Sequence, residues 1–453
     1  MNTLYDTHYD LIVVGGGIAG SMAATAAGRE GLSVLLIEEE GFLGGSLTAG
    51  GTGPMMTFHA GETQVVRGLP DEMIQRLMDK GLSVGHIPDS TGYTYTVTPF
   101  DAEGMKRELE LMVQEAGVKL LYHTTVVKAE TDHGMLKSLT CLCAGNLFTL
   151  SSSYFIDASG DADLIAMAGI LFEQGREEDG KDQPMTMNFK LVDVDIQTIR
   201  NLMDTNVELF PFLAPNPGIQ HRASRLSFSG FQDIMRQGME SGEISFDRDI
   251  VLCFETNAKN EVIVNMTRVL EKNPVDPIQL SEAEMEGRRQ VWELYGFLKK
   301  HIPGFEQARM TYSGPRIGVR SSRRLKGSYR ISVEDLLSER VFDDAISACG
   351  YPIDIHSPDG AATDSRFLRD GGYYTIPLKC LLNEQVSNVL AAGRNISCEF
   401  AAHASLRVSP SSGAIGQGAG TAVAVAIETG KDLFHIPLDV LHAKLRTAGA
   451  FLG

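Results

Sequence analysis

The sequence predicts an α/β protein: a parallel sheet, extended by a small antiparallel sheet, is interrupted by an inserted α+β domain. Three observations lead there. The apolar run 9–14 meets Gly15-Gly16-Gly17, then a helix-like stretch 18–29 and a second apolar run 33–37, which is the order and spacing of a βαβ unit. Late in the chain, 386–392 is again an apolar strand, closing on Gly393-Arg394 and followed by a small-residue helix over 410–429. Between them, from 172 to 349, strand-like and helix-like pieces alternate without that pattern. The expected division is one discontinuous domain, 1–171 with 350–453, and an inserted domain, 172–349.

The elements between these landmarks follow from local pattern. A glycine-rich stretch, 41–53, suits backbone that must come close to a ligand. Residues 101–116 form an amphipathic helix with Met105, Leu109 and Met112 on one face and Gly117 just past its end. Three short antiparallel strands are expected at 119–128, 135–143 and 147–151, joined at Asp132-His133-Gly134 and Ala144-Gly145-Asn146. Residues 154–158 supply another apolar strand, ending at Ser159-Gly160-Asp161. In the insert, Ser281 and Glu284 read as a capping box opening a helix through Lys300, with Trp292 as a packing residue on it.

Composition bounds the function. The 453 residues, 43% hydrophobic and 22% charged, describe an ordinary globular chain and exclude wholesale disorder. A net charge of −18 argues against a phosphate-backbone footprint, so nucleic acid is not an expected partner. The opening MNTLYDTHYD lacks a basic segment followed by an apolar one, and no stretch approaches the roughly 18 apolar residues of a membrane span. Six cysteines without a CxxC pair are too sparse for a disulfide framework and read as small buried residues, so a cytoplasmic protein is expected, with no metal site. Glycine is in excess, and 12 of the 47 fall in the first 60 residues, about twice an even share.

The strongest motif is Gly15-x-Gly17-x-x-Gly20 with Glu38 at the end of the next strand. Its first glycine permits the turn, the second lets backbone approach a pyrophosphate, and the third allows close helix–strand packing. The helix N-terminus at Ile18 and Ala19 then faces the phosphates, and Glu38 accepts hydrogen bonds from a ribose. A lone GxGxxG is weak. Here the flanking strand, helix and acid complete a Rossmann-like dinucleotide-binding unit.

The opening DLIVVGGGIAGSMAATAAGREGLSVLLIEEEGFLGGSLTAGG resembles the FAD-binding start of glutathione-reductase-like and fumarate-reductase-like flavoproteins. More narrowly, the chain resembles the bacterial family called FAD-dependent oxidoreductases, through YFIDASGDADL at 154–164, GPRIGVRSSRRLKGSY at 314–329, YPIDIH at 351–356 and the glycine-rich segment 389–422. The resemblance implies FAD as cofactor, with Glu38 on the adenosine ribose and Gly44, Gly45 and Ser46 beside the flavin. It places Val126 at the adenine, and Ala158, Ser159, Gly160 and Asp161 near the pyrophosphate. It also implies that the helix holding Gly413, Ala414 and Ile415 points its N-terminus at the pyrimidine end of the isoalloxazine, stabilising anionic reduced flavin. Arg394 stands where glutathione-reductase-like proteins have Asp after Gly393, which leaves the ribitol contact open.

Catalytic candidates are fewer. His403, between the Gly393 turn and the last helix, could take an O–H or N–H proton while hydride leaves carbon for flavin N5. The competing reading is a structural histidine bonding local backbone. His59 and His356 are the other candidates. Arg316, Gly318 and Arg320 would face one way in an extended segment, with Arg323 and Arg324 following, and a guanidinium pair there could hold a carboxylate; Arg407 is a separate candidate, and for all of them structural ion pairs are the alternative. Of the acidic run Glu38-Glu39-Glu40, only Glu38 is given a role, and its neighbours are expected to be solvated.

The expected activity is hydride transfer between a small polar or carboxylate-bearing molecule and flavin N5, in the direction of C–OH or C–N oxidation. Reduction of an activated C=C bond, a non-catalytic flavin-binding protein and a flavoprotein acting on tRNA are the alternatives, the last disfavoured by the charge. The expected partners are a small-molecule substrate and an electron acceptor that the sequence does not name. No membrane partner is expected, and self-association is left open.

Overall fold

The opening βαβ unit and the late return strand share one sheet. In a computed structural model describing residues 8–213, 218–360 and 363–453, strands Lys119–Leu121, Val34–Ile37, His8–Val14 and Asn146–Asp157 run parallel in that order. Most of the opening segment 1–10, read as lacking a targeting signal, falls on residues 1–7, outside the described residues. Strand Val389–Ala391 pairs in parallel with the last three residues of Asn146–Asp157, so the chain's end returns beside its beginning. No helix among the described residues is long and apolar enough to cross a membrane.

Two strand expectations change. The segment 119–128 is not one strand: Lys119–Leu121 extends the parallel sheet beside Val34–Ile37, then Thr124–Asp132 turns away to pair antiparallel with Met135–Cys143. His123, at φ 51°, makes the break. Conversely, 147–151 and 154–158 join into one twelve-residue strand, Asn146–Asp157. Its first half pairs antiparallel with Met135–Cys143 and its second half parallel with Val389–Ala391, so the two sheets are one. Both hairpin turns are as expected, with successive positive φ at His133-Gly134 and Ala144-Gly145, as tight two-residue hairpins require.

Packing explains the small residues of the helix Ser409–Thr429. A Cβ on Gly416 would lie 2.0 Å from the Ala19 carbonyl oxygen, and one on Gly420 would lie 2.1 Å from that of Ala23. Glycines four apart therefore let this helix ride directly on the backbone of Ile18–Arg29, an approach no larger residue permits. Asn388, 1% exposed, ties the return segment to the sheet: it accepts from Leu136 N–H at 2.8 Å and donates to the Leu136 and Ser153 carbonyls at 2.9 Å. Asn388→Ala strands those backbone groups in the interior, so the urea unfolding midpoint is expected to fall by an amount equivalent to about 2–4 kcal/mol.

The insert contains a five-stranded antiparallel sheet in the order Ser227–Gly230, Val251–Glu255, Val262–Val264, Phe189–Val192 and Arg309–Ser313. Its apolar core runs from Met185 to Ile317. That is narrower than 172–349, because Leu325, Ile331, Leu336 and Ile346 pack into the first domain's core. The long helix is Pro277–His301, and the capping assignment shifts: Asp276 accepts from Ile278 and Gln279 N–H, with Pro277 at the first position. Ser281 instead bonds back to the Pro277 carbonyl, and Glu284 accepts from Ile317 N–H. Trp292 is 60% exposed rather than packed, because its position on this helix faces away from the insert's core.

Candidate active site

A cavity of 710 Å³ runs between the two apolar cores, a volume within the range of small-molecule pockets. One end is built by the glycine turn. Gly15, at φ +101°, passes so close to the end of strand Asn146–Asp157 that a Cβ would lie 2.4 Å from the Ala158 carbonyl oxygen. Gly16 N–H donates to Glu38 Oε2 at 2.6 Å, and Glu40 N–H donates to Oε1 at 2.8 Å. Burial raises the Glu38 pKa against the pull of those two bonds. At Gly17, by contrast, the nearest atom to a Cβ is 3.9 Å away, leaving open space at the start of a helix that no side chain caps.

Those free N–H groups, the gap at Gly17 and the carboxylate at the strand end fit the pyrophosphate and ribose of a dinucleotide. Gly15, Gly17, Ile18, Ala19, Glu38, Gly45, Ser46, Val126, Ala158, Ser159, Gly160, Asp161, Gly393 and Arg394 line the cavity. Gly20, Gly44, Gly413, Ala414 and Ile415 do not. Gly20 supports the turn from behind, Gly44 N–H donates to the Gly16 carbonyl, and Gly413 packs on Ile18 and Pro70. The helix Ser409–Thr429 is also uncapped, and it reaches the cavity through Val408, Ser409 and Ser412, earlier than expected.

The middle of the wall is held by charge pairs. Arg394 pairs with Asp161 at 2.6 Å, which also accepts from Ser322. Arg323 pairs with Asp163. Buried Asp157, which the motif reading passed over, fixes the strand end by accepting from Ser159 Oγ at 2.6 Å and Ile165 N–H at 2.8 Å. Arg316 bridges to Glu39 and Glu40, so those acids are partnered rather than simply solvated. Buried Arg324 turns the other way, to the Cys398 and Gly175 carbonyls. The arginines of 316–324 thus diverge, because the segment between Arg316 and Ser322 is irregular rather than extended.

The far end gathers Thr186, Asn188, Phe254, Asn265, Arg320, Tyr351, Asp354, His356 and Arg407. His356 is the only histidine lining the cavity among the described residues. Its Nε2 lies 3.3 Å from Asp354 Oδ2, and Tyr351 donates to the same oxygen at 3.2 Å. Enclosure and the neighbouring Arg320 lower the His356 pKa to about 3, while His356 and the arginines hold Asp354 below the usual carboxylate range. Asp354 was legible in YPIDIH, since residues two apart share a strand face. Thr186, Asn188 and Asn265 carry no local signal.

The other two histidines lie elsewhere. His403 is 1% exposed, and its Nε2 bonds the Arg394 carbonyl at 2.7 Å, so it shapes the turn at Gly393 from behind the wall. His59 bonds Thr96 Oγ1 at 3.1 Å beside His86, outside the cavity, and burial lowers its pKa to about 4.

A glycine turn with a strand-end carboxylate, joined on one cavity by a helix from the far end of the chain, defines the class of dinucleotide-binding flavoenzymes. The chain belongs to the FAD dependent oxidoreductase family, whose model matches residues 10–445. It is a FAD-dependent enzyme, which sets aside the non-catalytic alternative. Dihydrolipoamide dehydrogenase of Chaetomium thermophilum is 29% identical over 131 residues, 28% of this chain and 25% of that protein. The match therefore spans a quarter of that relative's length. Among solved structures, p-nitrophenol 4-monooxygenase from Pseudomonas putida shares 13% identity, with 97% of this chain and 84% of that one covered and a TM-score of 0.50. A geranylgeranyl bacteriochlorophyll reductase-like protein from Thermoplasma acidophilum shares 11%, covering 97% and 83%, at 0.48. The likeness to the Pseudomonas putida monooxygenase is one of fold.

Glu38 supplies the first test of the cofactor end. Glu38→Ala removes the anchor of Gly16 and the ribose acceptor together, so FAD affinity is expected to fall about 10–100-fold, the cost of one or two hydrogen bonds to a charged group. Flavin retained after gel filtration measures it, and unchanged retention would refute the assignment.

Proposed function

We propose that this enzyme moves a hydride between a small carboxylate-bearing organic substrate and FAD, oxidising a C–OH or C–N bond. One observation favours it above the rest: His356, paired with Asp354, is the histidine on the cavity wall, with Arg320 and Arg407 beside it. FAD supplies the two-electron acceptor, at N5. The chain's own residues do the remainder. Arg320 and Arg407 orient the carboxylate, and His356 Nδ1, the ring nitrogen not engaged by Asp354, takes the O–H or N–H proton as the C–H bond breaks. The Asp354 carboxylate stabilises the imidazolium so formed. His403 serves as a positioning residue through the Arg394 carbonyl.

Six free cysteines suit a reducing compartment, so we place the enzyme in the cytoplasm. Reoxidation is assigned to an acceptor outside this chain. The test is anaerobic: the FAD-loaded protein is mixed with 2-hydroxy acids, 2-amino acids and their neutral alcohol and amine counterparts, and bleaching of the flavin band is followed. Bleaching by the acids and not by the neutral counterparts is expected. Bleaching only by a reduced nicotinamide, with reoxidation by an activated alkene, would reverse the proposed direction.

A further inference from the structure

The far end of the cavity holds positive charge that the protein does not neutralise. Arg320 donates to neutral oxygens, the Pro184 carbonyl at 2.6 Å and the Thr186 hydroxyl. Arg407 has long contacts only, to Gln183 Oε1 at 3.5 Å and the Asp354 carbonyl at 3.4 Å, and its buried Nε has no partner. Arg248, 7% exposed behind the wall, reaches the Asn265 carbonyl at 3.4 Å, and its Nε is likewise unpartnered. The carboxylate on this part of the wall is Asp354, already shared by Tyr351 and His356 and 4.0 Å from Arg407.

The contrast with the rest of the same cavity is sharp. Arg316, Arg323 and Arg394 each pair with an acid, Glu39, Asp163 and Asp161 respectively. Among the described residues, neither Arg248 nor Arg320 has a carboxylate oxygen within ion-pair distance. A guanidinium does not shed its proton on burial, so the imbalance cannot be relieved by titration. Arg320 and Arg407 on the wall share one carboxylate, Asp354, and Arg248 behind them has Asp249 and Asp354 near it without an ion pair to either, so positive charge is left to be met, and enclosing like charges is costly until anions arrive.

We propose that the substrate carries two anionic groups, a dicarboxylate or a carboxylate with a phosphate. Arg320 and Arg407 take the first group, and the second sits by Asn265, within the field of Arg248. This rests on the reading of the cavity as a substrate pocket beside FAD, and it adds the charge of the substrate to that reading.

The experiment uses the FAD-loaded protein at fixed ionic strength. Malonate, succinate, glutarate and phosphoglycolate are titrated against acetate and butyrate, following both perturbation of the flavin absorption band and the melting temperature. At least one dianion is expected to bind about tenfold or more tightly than any monoanion, the scale of one additional charge-assisted contact. Whether a dicarboxylate or phosphoglycolate wins separates the two sources of the second charge. Arg407→Gln and Arg248→Gln are each expected to shrink the preference to below about threefold with FAD still bound, and Arg248→Lys, which keeps the charge, to retain most of it. Equal binding of monoanions and dianions overturns the inference even if monocarboxylic hydroxy acids bleach the flavin. Dianion preference with no bleaching by any hydroxy or amino acid supports it and instead overturns the proposed oxidation.

Discussion

His356→Ala is expected to slow anaerobic reduction of the bound flavin by substrate about 10²–10⁴-fold, the usual contribution of a positioned general base, while flavin content stays that of the parent. His403→Ala should do the reverse: its ring holds the Arg394 carbonyl and lines no part of the cavity, so loss of flavin or of stability is expected before loss of the chemical step. Equal slowing by both variants at full flavin content would remove His356 from its role.

The pH dependence follows with a definite sign. Because enclosure and Arg320 hold His356 neutral down to about 3, it is unprotonated across the neutral range, and the rate of flavin reduction should show no acid limb near the ordinary histidine value of about 6.5. Stability moves in the same window. A base whose folded pKa is depressed binds more protons unfolded than folded between the two values, so its contribution falls as pH drops from about 6.5 toward 3. Asp354, held low, loses its own contribution as pH falls below the ordinary carboxylate range, which adds in the same direction. Melting temperatures at pH 7 and pH 5 should therefore decline, and His356→Gln should flatten the slope. A slope unchanged by that variant would show that His356 is not the titrating group.

The second large effect is at Gly20. A Cβ there would sit 1.8 Å from the Gly15 carbonyl oxygen, a backbone atom that cannot move without opening the turn. Gly20→Ala is therefore expected to abolish FAD retention and to cost more than the roughly 1–3 kcal/mol of ordinary overpacking. Gly416→Ala, 2.0 Å from the Ala19 carbonyl, should behave similarly by prising the two helices apart. The control is Gly296→Ala on the exposed face of Pro277–His301, where nothing lies within 4 Å of the added carbon. It should stabilise by about 0.5–1 kcal/mol, since glycine costs that much inside a helix. Thermal unfolding with flavin release as the readout distinguishes the three, and a folded, flavin-bearing Gly20→Ala protein would refute the packing argument.

The two ends of the cavity were unequally legible. The FAD end could be read because its parts are near in sequence: a glycine turn, one helix and an acid at the end of the next strand are tied by the rise of one βαβ unit. Even there, the run 119–128 misled, because apolar alternation does not reveal that a strand leaves one sheet for another at His123. At the far end, pattern gave candidates without a way to choose. His59, His356 and His403 are all histidines beside apolar segments, and only the packing of the strand Ile353–His356 against Arg320 and Arg407 separates them.

From sequence alone came the class of fold, the cofactor end of the site and the chain's return to its first sheet, because each rests on local spacing and backbone sterics. Tertiary structure decided which histidine meets the cavity, which arginines are already paired with acids and where unbalanced charge remains. The physical reason is that pairing is a property of distance. Arg323 and Asp163 lie 160 residues apart and still neutralise each other, whereas Arg320, three residues before Arg323, meets only neutral oxygens.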